Sequence, residues 1–105
     1  MKPGHLVQLL LPVGDGDGKR FPASLYEQVT KELTERFGGL TAYARAPAAG
    51  LWEEESGKTT RDDIVVYEVM VETLDAAWWA KYRKTLEVRF DQDELVIRAQ
   101  KIQRL

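Results

Sequence analysis

Four residues recur at the same spacing in two places. Lys31-x-Leu33-x-x-Arg36-Phe37 is matched by Lys84-x-Leu86-x-x-Arg89-Phe90. Each copy closes a stretch of helical spacing and leads, after a short turn, into a stretch that alternates like a strand. A chain with this echo is expected to consist of two β-α-β halves. In the first half, Leu6 to Leu11 is an apolar run broken only by Gln8 and ended by Pro12-Val13-Gly14, which fits a buried strand. Asp15 to Arg20 is turn chemistry. Ser24 and Glu27 form a capping-box pattern ahead of Leu25, Val29 and Leu33, and Gly38-Gly39 supplies a stop. Leu40 to Ala46 alternates as a second strand, with Thr41, Tyr43 and Arg45 on one face.

The second half follows a polar arm, Trp52 to Thr60. Ile64 to Thr73 alternates most clearly of all. Asp75 then caps a stretch in which Trp79, Tyr82, Leu86 and Phe90 step by three or four residues. Leu86 to Phe90 also alternates, and the echo decides for helix. Leu95 to Ile102 is the last strand and Gln103 to Leu105 a tail. The expected class is α+β. The order is βαββαβ, and right-handed crossovers place two helices on one face of a four-stranded antiparallel sheet.

Composition narrows what such a domain can do. The chain has 105 residues and a net charge of −2, with 44% hydrophobic and 30% charged residues. That length fits one domain with one core, taken as residues 1–105. The acidic balance opposes nucleic-acid binding, which needs clustered positive charge. With no cysteine and one histidine, thiol chemistry, disulfides and a multi-histidine metal site within one chain are excluded. No apolar run approaches the roughly 20 residues of a membrane helix, and the first residues lack a signal-peptide layout. A cytoplasmic location, no membrane contact, no metal and no cofactor are the expectations.

Two motif fragments fail on spacing. Gly57-Lys58-Thr59 resembles the end of a phosphate loop, but Trp52 stands where the loop needs its first glycine. Asp15-x-Asp17-Gly18 resembles half of a calcium loop, but Tyr26 stands where the bidentate glutamate belongs. A turn explains the aspartates. The stretch from Pro12 to Ala23 is long for a strand-to-helix link and could equally act as a lid or be slack surface.

The sheet face away from the helices is the informative surface. It would carry Leu6, Gln8 and Leu10; Thr41, Tyr43 and Arg45; Ile64, Val66, Glu68, Met70 and Glu72; and Val96, Arg98, Gln100 and Ile102. A face this apolar marks an interface or a ligand surface. The element order resembles the ferredoxin-like fold, and the apolar face resembles the dimeric α+β barrel proteins within it. That resemblance implies a homodimer with two sheets packed face to face. It also implies relatives that include cofactor-independent monooxygenases and lactone isomerases. Arg36-Phe37-Gly38-Gly39-Leu40-Thr41 with Gly50-Leu51-Trp52 is also similar to a small bacterial domain family without an assigned activity.

The candidate catalytic group is therefore Glu68, Arg45 and Tyr43, which neighbouring strands would bring together, with His5, which alternation puts with Val7, Leu9 and Leu11 on the helix-covered side, as an outside candidate for the base near neutral pH. A bland alternative is a satisfied Glu68–Arg45 cross-strand pair. Gln8, Arg98 and Met70 on the same face, and Trp52 in the polar arm, are the candidate ligand-binding residues. The expected function is binding of a small apolar or aromatic molecule, with oxygenation or isomerisation as the chemistry if there is any. The competing function is a non-catalytic regulatory module resembling ACT domains. RNA binding is set aside, because the central strands offer no aromatic platform on this face.

Overall fold

The computed structural model describes residues 1–37 and 64–105 fully, and residues 43–45 by their backbone. The chain runs β1 (Lys2–Pro12), α1 (Ala23–Phe37), β2 (Tyr43–Arg45), β3 (Ile64–Val71), α2 (Ala76–Arg89) and β4 (Val96–Arg104). The class is α+β, two helices with an antiparallel sheet. The strands lie in the order β2-β3-β1-β4. The body of the sheet is β3, β1 and β4, and β2 contributes three residues beside β3.

Strand parity separates the two faces. Val7, Leu9 and Leu11 of β1, and Val13 just after it, are buried with Val65, Tyr67, Val69 and Val71 of β3. They form one apolar cluster with Tyr26, Val29 and Leu33 of α1 and Trp79, Tyr82 and Leu86 of α2. Each such aliphatic side chain contributes roughly 1.5–3 kcal/mol by leaving water. Leu6, Gln8 and Leu10 fall on the other face and are half-buried.

β1 and β4 are both longer than their apolar runs. Lys2 pairs with Arg104 and Pro3 with Gln103, so the expected C-terminal tail is strand. The first pair between β1 and β3 is His5 with Val71. Pro3 therefore has a ladder partner on one side only, where a residue without an N–H can be accommodated.

Two local expectations change. Ser24 is not the cap of α1. The helix begins at Ala23, and the Leu25 N–H donates to Pro22 O at 3.1 Å, which leaves Ser24 exposed in the first turn. The link from Pro12 to Ala23 is not slack. Gly14 and Arg20 form a bridge, and Asp15 Oδ1 accepts the amides of Asp17 and Lys19 at 2.8 and 2.9 Å. Gly18 takes φ 82°, which suits glycine. Phe21 then packs edge-on against Phe90, centroids 5.4 Å apart. The link is a clipped hairpin anchored in the core.

At α2 the helix reading holds. The Asp75 side chain accepts Trp78 N–H at 3.1 Å. At the far end, Asp91 N–H donates to Val88 O and Gln92 N–H to Glu87 O, with Asp91 at φ 51°. This is a Schellman ending with aspartate in the left-handed position that glycine usually fills. The repeated motif also acquires a meaning. Leu33 and Leu86 are buried in the core. Each helix's terminal arginine reaches the other helix: the Arg36 guanidinium lies 4.9 Å from the Trp78 ring, and Arg89 pairs with Glu32. The Gly38-Gly39 stop and most of the expected second strand lie outside the described residues.

Candidate functional site

The centre of the open sheet face is a line of polar residues running across the strands. The register sets Gln8 opposite Glu68 on β3 and opposite Arg98 on β4. The Gln8 Nε2 donates to Glu68 Oε2 at 3.0 Å, and the Arg98 Nε donates to Gln8 Oε1 at 2.8 Å. The amide of Gln8 is thereby oriented, with its carbonyl toward the cation and its NH2 toward the carboxylate. Tyr43 is the register partner of Glu68, and Arg45 of Val66. The backbone thus places Tyr43, Glu68, Gln8 and Arg98 on one line across the sheet.

Glu68 is 4% exposed and is the one charged residue in the described core. Burying a carboxylate is costly without polar partners, and Gln8 supplies one. Around the row lie the half-buried side chains of Leu6, Leu10, Ile64, Val66 and Met70. Met70 pairs with Leu6, two residues along from Glu68. Toward β4, a hollow of about 280 Å³ is lined by Gln8, Arg98, Ala99 and Gln100. The arrangement offers a buried hydrogen-bond acceptor, an oriented amide and an exposed guanidinium within an apolar surround.

Four of the expected site residues thus share this face by side chain: Glu68, Gln8, Arg98 and Met70. His5 does not join them. It has the parity of Val7, Leu9 and Leu11 and faces the opposite way. It is half-buried beside Glu72 and Lys101, and its Nδ1 is buried without a hydrogen-bond partner among the described residues. Trp52 and the side chains of Tyr43 and Arg45 lie outside the described residues. Strand order and parity already put Gln8 beside Glu68, but did not mark it as the hub that joins Glu68 to Arg98. Its signal was present, as the lone polar residue between Leu6 and Leu11.

Among the described residues there is no group of three or more potential metal-ligating side chains, and no helix is long and apolar enough to cross a membrane. No protein-family model matches the chain, and no curated protein matches it. Among solved structures, the chain is similar to a phage SAM lyase in complex with S-methyl-5'-thioadenosine. The TM-score is 0.53 and the identity 14%, over 95% of this chain and 82% of that one. At this identity the likeness concerns the fold, an α+β domain of the same arrangement.

Proposed function

We propose that the protein is a small-molecule-binding homodimer of the ferredoxin-like βαββαβ type. Its two sheets would pack face to face as in dimeric α+β barrels, and the ligand would contact the polar row. The observation that carries this reading is the buried Glu68 carboxylate, hydrogen-bonded through Gln8 to Arg98 in the middle of an apolar sheet face. A second copy would bury the rows of Leu6, Leu10, Ile64, Val66 and Met70. It would also enclose Glu68 as an acceptor for a ligand N–H, O–H or cationic group. A lyase of similar fold holds a nucleoside thioether, which supports an aromatic, nucleoside-sized ligand as the first class to test. If the protein is an isomerase, the Glu68 carboxylate would take and return the proton while Arg98 holds the developing negative charge.

The test combines solution mass with ligand-dependent melting. Light scattering should give twice the chain mass. S-Methyl-5'-thioadenosine and aromatic acids are then screened by thermal shift, where a ligand at 100 times its Kd adds about 2.7 kcal/mol of stability. Glu68→Gln should abolish the shift and keep the dimer. A monomer, or a Glu68→Gln variant that still responds fully, rejects this reading.

A further inference from the structure

β4 is an outer strand of the sheet and pairs on one side with β1. Its nine residues meet β1 in unbroken register, from Leu10 opposite Val96 to Lys2 opposite Arg104. Neither proline nor glycine interrupts them. Every second residue of β4 therefore turns its N–H and C=O outward, where no strand takes them among the described residues. A regular edge of this length can accept an added strand, whose main chain supplies affinity and whose alternate side chains supply specificity.

Those side chains would meet a formed surface. On the helix side, a groove of about 550 Å³ runs between α2 and β4. Ala76, Trp79 and Ala80 line it from α2, Ile97 and Ala99 from β4, and Val7 from β1. Ala76 and Ala80 are exposed and Ile97 is half-buried, so small side chains on the helix leave apolar strand surface uncovered. An extended segment alternates its side chains between the two faces of a sheet. Laid along β4, it aims every second one at this groove.

Charge selects the partner. From residue 95 to residue 105 the side chains include Arg98, Lys101 and Arg104 and no carboxylate. All three are exposed. Arg98 is taken by Gln8, whereas Lys101 and Arg104 have no ion-pair partner among the described residues. Their neighbours across the ladder are His5 and Lys2, which add no negative charge. Glu72 shares a hollow with Lys101, one carboxylate against Lys2, Lys101 and Arg104. In the groove itself Arg83 is matched by Glu94. A second copy fits this edge poorly, because two β4 strands side by side would bring together two sets of the same three cations.

We infer that the free edge of β4 docks an extended acidic segment of another protein. The segment adds antiparallel as the next strand, with its carboxylates at Lys101 and Arg104 and its apolar side chains in the α2–β4 groove. This docking does not depend on a ligand at the Glu68 row.

The experiment uses the whole protein and a capped probe as long as β4, Glu-Thr-Thr-Glu-Thr-Leu-Thr-Val-Thr. Aligned antiparallel, its glutamates fall opposite Arg104 and Lys101, and its leucine and valine opposite Ala99 and Ile97. Calorimetry should show saturable binding, with amide shifts concentrated at residues 76–83 and 96–104. The same peptide with lysine in place of both glutamates should bind at least about fivefold more weakly. Lys101→Glu, at an exposed position, should reverse that preference with the fold intact. Ala80→Trp, which fills the groove from an exposed helix position, should abolish binding of the probe. Absence of saturation, equal binding of the lysine peptide, an unaffected Lys101→Glu, or shifts centred on Gln8 and Glu68 would each overturn the inference. Backbone contacts between the β4 strands of two copies, read in a mixture of labelled and unlabelled protein, would make a second copy the occupant and overturn it as well.

Discussion

Arg89 holds Glu32 with both terminal nitrogens of its guanidinium, at 2.6 and 2.9 Å, and so ties the end of α2 to the middle of α1. Tyr82 donates its hydroxyl to the same carboxylate at 2.9 Å. The hydrogen bonds from Arg89, and secondarily from Tyr82, hold the Glu32 carboxyl below its ordinary value of 4.5, against the opposing effect of burial.

Glu32→Gln should cost about 1 kcal/mol at neutral pH, a figure reduced for the partial exposure of the pair. The folded value is depressed, so the contribution is complete above about pH 4.5 and is lost as pH falls through the lower folded value. Urea denaturation of both proteins at neutral pH and near pH 3 should show the gap closing in acid. A gap that stays constant with pH would show that the ion pair is not its source.

The Asp75 cap is separable from the rest of α2. Asp75→Ala should lower stability by about 1 kcal/mol, a melting shift of roughly 4–8 °C for a domain of this size. Asp75→Asn, which keeps an acceptor for the Trp78 amide, should recover most of it.

Tyr26 and Tyr82 are both raised well above the usual tyrosine value, in each case mainly by burial. Spectrophotometric titration to about pH 11 should therefore show these two phenols failing to ionise in the folded protein. Because the folded values are raised, their contribution to stability is complete below about pH 10 and falls as the unfolded chain ionises above it. Ionisation of all the tyrosines together before unfolding would contradict this.

Gly4 lies close against the backbone of β3. A Cβ there would stand 2.9 Å from Val71 O, and a backbone carbonyl within a strand gives little. Gly4→Ala should cost roughly 1–3 kcal/mol, read as a lower denaturation midpoint with an unchanged slope.

Both helices were legible from apolar spacing, and α2 kept its cap because Asp75 precedes its stripe directly. The extent of β1 was not legible. Lys2, Pro3 and Gly4 are poor strand residues on their own and become strand only because β4 pairs with them. Ser24 misled because its hydroxyl pattern is local, whereas the start of α1 is set by Phe21 entering the core and fixing the chain before it. At the site, parity placed Glu68, Gln8, Arg98 and Met70 on one face correctly. What it could not supply was the register between strands distant in sequence, and that register turns three separate polar residues into one hydrogen-bonded line.

The line also bears on how the sheet finds its alignment. Along Leu6 to Leu11 both faces of β1 are mostly leucine, so sliding a neighbour by two residues would exchange one apolar contact for another at little loss. Gln8 removes that degeneracy. Its carbonyl finds Arg98 and its NH2 finds Glu68 in one alignment only, and a two-residue slip on either side would leave a polar group facing leucine. The glutamine thus works as a keyway cut through three strands, and the largest effect of Gln8→Leu would be to make the wrong sheet nearly as good as the right one.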